Sequence, residues 1–190
     1  MTKLVNLFAL CLLLSSCGSL TPPLEINTYK SAALLSNWSI TGAIAAKNQR
    51  KSFSAMMQWQ QSGPDHFTLR LYGPLSGGSV LIEKHGAHIL YQDGQRTIQS
   101  SHPEQLILTE TGVNIPVNHL YYWLRGIKAP QSAHTQQLNP QGQLNVLEQD
   151  GFKIIFNAYT VVGNLMLPSK IDITHPEGRV RIVIKQWLIN

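Results

Sequence analysis

A cysteine near the amino terminus stands in a context that predicts its alkylation by a lipid. An apolar run over residues 4–14 follows Lys3 and is too short to cross a bilayer, which needs about 20 apolar residues. It fits the apolar region of an export signal. The run ends in Leu14-Ser15-Ser16-Cys17, where two small residues suit a peptidase cleft and the thiol can accept a diacylglycerol group. We therefore predict a signal peptide over residues 1–16 and lipidation of Cys17.

The neighbouring residues bear on location and on how the mature chain is held together. Gly18 stands where an aspartate would favour retention in the inner membrane, so the sequence favours a lipid anchor in the outer membrane, facing the periplasm. The other cysteine, Cys11, leaves with the signal, which excludes a disulfide framework and a cysteine-based metal site. The mature domain must therefore be held by its hydrophobic core.

The other residues capable of chemistry predict neither an active site nor a cofactor. Of seven histidines only His85 and His88 lie close together, on either side of Gly86, and no cluster of carboxylates and histidines supports a metal site. The serine-hydrolase elbow, the phosphate loop and the dinucleotide fingerprint are absent from the sequence. We expect no enzyme activity, no cofactor and no metal.

Length and charge are those of one exported domain. Removal of residues 1–16 leaves 174 of the 190 residues, and the loss of Lys3 lowers the net charge from +5 to about +4. The basic residues are scattered, which predicts weak attraction to anionic surfaces such as lipid headgroups and no nucleic-acid partner. Residues 17–27, with Pro22-Pro23, are predicted to be a lipidated tether, and residues 28–190 the domain.

Apolar and polar side chains alternate in six segments, which is typical of half-buried antiparallel strands. These segments are 52–59, 67–72, 80–83, 152–157, 170–174 and 179–185. Turn residues such as Ser62-Gly63-Pro64-Asp65 and Asp93-Gly94 separate the segments at short spacing, which predicts hairpins.

Helical spacing replaces the alternation in the middle of the chain. Short helices are predicted over 103–108 and 116–125, the second ending at Gly126, and a further one over 28–36. A sheet of about 10–11 strands must curl or close, so helices inserted midway can cover its mouth. The sequence predicts a mainly β fold, in which a single curled antiparallel sheet forms an unclosed barrel with a lid of short helices.

The inner face of this sheet is either a packed core or an apolar cavity. An apolar face is usually core, whereas an aromatic share of only 8% favours an unfilled volume, and the residues alone leave both open. The inner face and lid are predicted to contribute Met57, Trp59, Leu69, Ile82, Leu120, Leu124, Ile154, Phe156, Ile173 and Ile182.

The loop Gly73-Pro74-Leu75-Ser76-Gly77-Gly78 carries one large apolar residue between two predicted strands. Leu75 either folds back onto the sheet edge or forms an exposed tip that can enter the acyl boundary of a bilayer.

Several stretches, in order along nearly the whole mature chain, resemble the LolB family of outer-membrane lipoprotein receptors. They are the lipobox at Cys17, the loop Gly73-Pro74-Leu75, and the segments 59–65, 111–117, 123–126 and 187–189. In the loop the family pattern is Asn-Pro-Leu-Gly, so this chain keeps the proline and Leu75 but changes both flanking residues.

The resemblance implies an apolar cavity beneath a helical lid, lined by the ten inner-face residues, and a membrane-insertion role for Leu75. It implies a monomer that accepts acylated lipoproteins from a soluble periplasmic carrier of the LolA type. The receptor would place them in the inner leaflet of the outer membrane, with acyl chains, carrier and bilayer as partners. Two other classes stay open: a structural or assembly lipoprotein with a solid core, and a lipid-modifying enzyme with a polar cluster in the cavity.

Overall fold

The chain forms one eleven-stranded antiparallel sheet and two α-helices in a computed structural model that describes residues 31–73 and 78–189. The strands are β1 Asn37–Lys47, β2 Ser52–Ser62, β3 His66–Gly73, β4 Gly78–His85, β5 His88–Gln92, β6 Thr97–Ser100, β7 His134–Leu138, β8 Leu144–Gln149, β9 Phe152–Val162, β10 Leu165–His175 and β11 Gly178–Ile189. The helices are α1 Pro103–Thr111 and α2 Val117–Trp123. This confirms the predicted fold class.

The first and last strands pair in the interior of the sheet. The strand order is β6-β5-β4-β3-β2-β1-β11-β10-β9-β8-β7, so β1 lies between β2 and β11, and Trp38 faces Ile189. Every other neighbouring pair is a hairpin. The two free edges are therefore β6 and β7, and the connection between them carries both helices.

The strands end at two opposite ends of the sheet. At the proximal end, β1 begins at Asn37 opposite Ser62. At the distal end, β1 ends at Lys47, β3 ends at Gly73, and β4 begins at Gly78. Since β1 has eleven residues at about 3.3 Å each, the two ends lie roughly 35 Å apart.

The helices begin and end close to the predicted positions. The backbone of Gly112 adopts φ 74° and ends α1, which is three residues longer than predicted. The predicted helix over 28–36 is wrong in extent for the described residues, since only Ala32–Leu34 form a single 3₁₀ turn. The hydroxyl of Ser31 caps this turn and Leu35 is already extended, so the helix cannot continue. None of the helices in the two described ranges is long and apolar enough to cross a membrane.

Aromatic rings fill the proximal end of the core. The ring centroid of Trp38 lies 6.2 Å from that of Trp59 and 5.3 Å from that of Trp187, and Phe67 packs 4.7 Å from Trp59. Two of the indole N–H groups have internal acceptors: Trp59 donates to Gln61 and Trp187 to the carbonyl of Pro168. The proximal end is therefore closed by packed side chains, in contrast to the distal end.

Candidate functional site

The ten inner-face residues predicted from the sequence are all buried in one continuous hydrophobic cluster. Of the ten, only Ile82 also lines the main cavity formed by the described residues, which lies at the distal end. The other nine pack against one another and against the core residues around them. A role for these ten in contacting acyl chains stays a prediction.

A cavity with a volume of about 850 Å³ opens at the distal end. Its walls come from the distal halves of β2, β3 and β4, from β5, and from the carboxyl end of α1. The apolar part of the lining consists of Phe53, Ala55, Leu71, Val80, Ile82 and Tyr91. Cavities of this size and lining accept apolar ligands.

Charged side chains hold the rim of the cavity. Arg96, on the β5–β6 turn, donates from Nη2 to Oε2 of Glu110 on α1 at 2.5 Å and from Nε to Asp93 at 3.3 Å. Backbone N–H groups of Gln95 and Arg96, together with the Arg96 side chain, lower the pKa of the Asp93 carboxyl. Burial, with Asp93 and Glu110 nearby, raises the pKa of Tyr91, so its hydroxyl stays neutral. The rim thus closes through an ion pair, and the lining behind it combines apolar side chains with polar ones such as Ser52, Ser54 and Ser79.

The helix α2 and the turn after it are fixed to the fold by two buried polar side chains. Gln149 on β8 binds Trp123 and the backbone of Ala129. Arg125 is 2% exposed and donates to the carbonyl of Leu35 at 2.6 Å, while its guanidinium lies 3.8 Å from the centre of the Tyr121 ring. Burial lowers the pKa of Arg125, and the carbonyls and rings replace the missing water.

The helix α1 is attached by more exposed contacts. Its first turn is joined to α2 by the hydrogen bond from Asn118 to Glu104 at 2.6 Å, and Gly112 accepts a hydrogen bond from the Asn48 side chain. A further polar link is the ion pair between Arg96 and Glu110, in which the Glu110 side chain is only 6% exposed. Of the two lid helices, α1 therefore has fewer buried hydrogen bonds to the rest of the fold and is the easier one to displace from the cavity rim.

Sequence reasoning missed most of the cavity and both buried polar anchors. Arg125 had a usable signal, because it lies four residues after Tyr121 on the apolar side of a predicted helix. Gln149 had no such signal, because a glutamine at the end of a predicted strand is equally compatible with an exposed side chain. The predictions for Cys17 and Leu75 lie outside the described residues. Gly73 and Gly78, which flank residues 74–77, pair with each other at the distal end beside the cavity.

Comparison with known proteins identifies close relatives over nearly the whole chain. Residues 36–187 match the family model described as outer membrane lipoprotein LolB. Curated proteins named outer-membrane lipoprotein LolB are similar, one from Marinomonas sp. (strain MWYL1), 32% identical over 96% of both chains, and one from Stutzerimonas stutzeri, 33% identical over 98% of this chain and 97% of that protein. A third, from Coxiella burnetii (strain RSA 493), is 32% identical over 93% of this chain and 88% of that protein.

Solved structures share the fold at low sequence identity. A LolA superfamily protein from Nitrosomonas europaea superposes with a TM-score of 0.55 at 9% identity, covering 83% of this chain and 87% of that one. A DUF1329 family protein from Desulfovibrio piger superposes with a TM-score of 0.57 at 8% identity, covering 84% and 88%. At such identities the likeness concerns the fold alone.

Proposed function

Because the chain belongs to the outer membrane lipoprotein LolB family, we propose that its half-barrel takes the acyl chains of incoming lipoproteins into the distal cavity. The protein is an outer-membrane lipoprotein that acts as a receptor in lipoprotein localisation, and its family is one of transport receptors. The observation that carries the proposal is a cavity of about 850 Å³ under α1, whose lining includes six apolar or aromatic side chains. An assembly lipoprotein with a solid core is not favoured.

The cost of exposing acyl chains to water dictates how cargo must arrive. Burying one methylene is worth about 0.8 kcal/mol, so three chains of about 14 methylenes each would need roughly 30 kcal/mol to enter water. Cargo must therefore pass directly from a soluble carrier of the LolA type into this cavity. Direction follows from affinity, with the receptor holding the chains more tightly than the carrier does and the bilayer more tightly still.

In this proposal the lipid on Cys17 anchors the protein, and the distal end of the domain contacts the membrane. Cys17 is the lipidated residue of this proposal, and 13 residues separate it from Ser31. That segment reaches at most about 45–50 Å when extended, which exceeds the roughly 35 Å between the ends of the sheet. The segment is therefore long enough for the lipid on Cys17 to sit in the membrane while the distal end of the domain contacts that same membrane.

Leu75 acts at the last step of this scheme, where cargo leaves for the bilayer. We expect Leu75→Glu to leave transfer from the carrier unchanged and to slow membrane incorporation at least tenfold, because a carboxylate does not enter the acyl boundary. Leu138→Glu is the matched control, since Leu138 is 54% exposed on the edge strand β7. Incorporation of cargo at the parent rate by Leu75→Glu would exclude this role.

Filling the cavity tests acyl binding itself. Ala55 lines the cavity, so Ala55→Trp places an indole in the acyl volume, while Ala158→Trp adds the same ring at an exposed position of β9. We expect the first variant to lose at least tenfold in affinity for a fluorescent fatty acid and the second to match the parent. Equal binding by both variants, or no acyl ligand bound by the purified parent, would favour a solid core.

A further inference from the structure

The outer face of the sheet carries a shallow basic groove of about 430 Å³ near the distal end. We define this basic groove by its polar side chains Lys47, Ser52, Ser54, Arg179 and Arg181, which belong to the neighbouring strands β1, β2 and β11; Ala45, Ala46 and Phe53 complete its lining. The groove adjoins the acyl cavity, with which it shares Ser52, Phe53 and Ser54, but its three cationic side chains are not part of that cavity.

The strand register explains why a hollow forms there. Arg179, Lys47 and Ser52 face one another in one row across β11, β1 and β2. In the next row, Arg181 and Ser54 flank Ala45. Because the side chain of Ala45 is only a methyl group, the surface is recessed at the centre of the groove. Long cationic side chains thus border a small residue, with serine hydroxyls on the far side.

The charges of the groove are not balanced by the fold. Asp172 on β10 accepts from Arg181 Nε at 2.7 Å and pairs with Arg179 Nη2 at 3.0 Å. Among the residues that the structure describes, no second carboxylate pairs with these arginines or with Lys47, so three cations face one anion. Lys47 also lies directly opposite Arg179, and like charges in that position destabilise a sheet.

One hydrogen-bond donor of the groove has no acceptor. The Nε–H of Arg179 is shielded from solvent and lacks a partner among residues 31–73 and 78–189. Two guanidinium groups, an ammonium group and two hydroxyls border one hollow, and such groups match the oxygens of a phosphate, to which arginine binds with strong, charge-assisted hydrogen bonds. An anion in the groove would relieve the repulsion between Lys47 and Arg179.

We propose that the basic groove binds the phosphate of an anionic phospholipid headgroup in the outer membrane. The protein is held at that membrane, so lipid phosphates are the anions present at the highest local concentration. Near an anionic membrane surface, each cation contributes enough affinity to change binding about fivefold. The site goes beyond lipoprotein transfer, since it fixes the orientation of the half-barrel on the bilayer through cationic side chains that lie outside the acyl cavity.

The test uses the full chain in nonionic detergent micelles and follows the Arg179 Nε–H resonance by NMR. Phosphatidylglycerol added to the micelles should shift this resonance saturably, and diacylglycerol, which lacks the phosphate, should not. Lys47→Gln should weaken the binding about fivefold. Arg70→Gln is the control, because Arg70 is an exposed outward-facing residue of β3 outside the groove and should bind as the parent does.

Three results would overturn the proposal. The first is the absence of a shift with phosphatidylglycerol, or an equal loss in Arg70→Gln and Lys47→Gln. The second is equally tight binding of inorganic phosphate, which would make the groove a site for the free ion. The third is a loss of affinity for the periplasmic carrier in Lys47→Gln with unchanged lipid binding, which would make it a protein-docking surface. Each result leaves acyl binding by the cavity to be judged separately by Ala55→Trp.

Discussion

The indole Nε1–H of Trp123 donates to Oε1 of Gln149 at 2.9 Å, and both side chains are buried. The same oxygen accepts the backbone N–H of Ala129 at 3.0 Å, and the Gln149 amide donates to the Ala129 carbonyl at 2.8 Å. One side chain of β8 therefore fixes the end of α2 and the loop after it. The lid is attached unequally, through several buried hydrogen bonds at α2 and through fewer polar contacts at α1.

Removing the Gln149 amide should destabilise the whole domain. Gln149→Leu leaves the indole N–H and the Ala129 backbone groups buried without partners, each at a cost of about 1–3 kcal/mol. We expect the free energy of unfolding to fall by about 3 kcal/mol in urea titrations. Gln137→Leu, at an exposed position of β7, should change it by less than about 0.5 kcal/mol. A similar loss in both variants would show that the polar anchor is unimportant.

Breaking the rim ion pair should free α1 at a moderate cost in stability. Arg96 is about half exposed but the Glu110 side chain is only 6% exposed, so the loss of Arg96 leaves a largely buried carboxylate without its partner, at a cost of about 1–3 kcal/mol. In Arg96→Gln, hydrogen exchange in Pro103–Thr111 should quicken and fatty-acid uptake should become several-fold faster. Lys153→Gln, which breaks an exposed pair with Glu148, is the control for the loss of a surface charge. Unchanged exchange in α1 would count against a gating role for this pair.

The Asp172 carboxyl should make folding sensitive to acid. Burial raises its pKa, but hydrogen bonds from Arg181 and Arg179 and the charges of both outweigh burial, so the pKa lies below the ordinary value of about 3.9. A lowered pKa in the folded state gives stability that is present above that ordinary value and is lost as the pH falls through the folded pKa.

The variant that isolates this effect is Asp172→Asn. Its thermal midpoint should lie below that of the parent at pH 7, and the difference should shrink as the pH falls below about 4. Glu148→Gln, which changes an exposed carboxyl on β8, should follow the parent across the whole range. A difference that stays constant down to pH 2 would mean that the carboxylate charge at Asp172 does not stabilise the fold.

A side chain at Gly42 should disturb the pairing of the first and last strands. A Cβ at this position would clash with the backbone carbonyl oxygen of Val183 on β11, at the point where the register between the strands shifts. We expect Gly42→Ala to cost about 3 kcal/mol, measured by urea unfolding, because a backbone group cannot move aside as a flexible side chain can. Gly94→Ala, where a Cβ meets open space, should be near neutral. Equal stability of the two variants would refute the clash.

The sequence alone determined the class of fold and the direction of many side chains. Alternation with period two, as from Phe53 to Trp59, identifies a half-buried strand because successive side chains point to opposite faces. Helical spacing around Leu120 and the glycine at 126 likewise places α2, since these signals act within a few residues. The same pattern could not reveal that the outward-facing Asp172 is buried and paired with Arg179 and Arg181.

Only the tertiary structure decided which strands meet and where space remains. The pairing of β1 with β11 joins segments more than 130 residues apart, and no local pattern specifies such a partner. The cavity lies at the distal end because the aromatic rings of Trp38, Trp59 and Trp187 fill the proximal end. Of the ten residues predicted to line it, only Ile82 does so. Periodicity states which way a side chain points, whereas the packing of distant segments decides whether it meets a neighbour or leaves a gap.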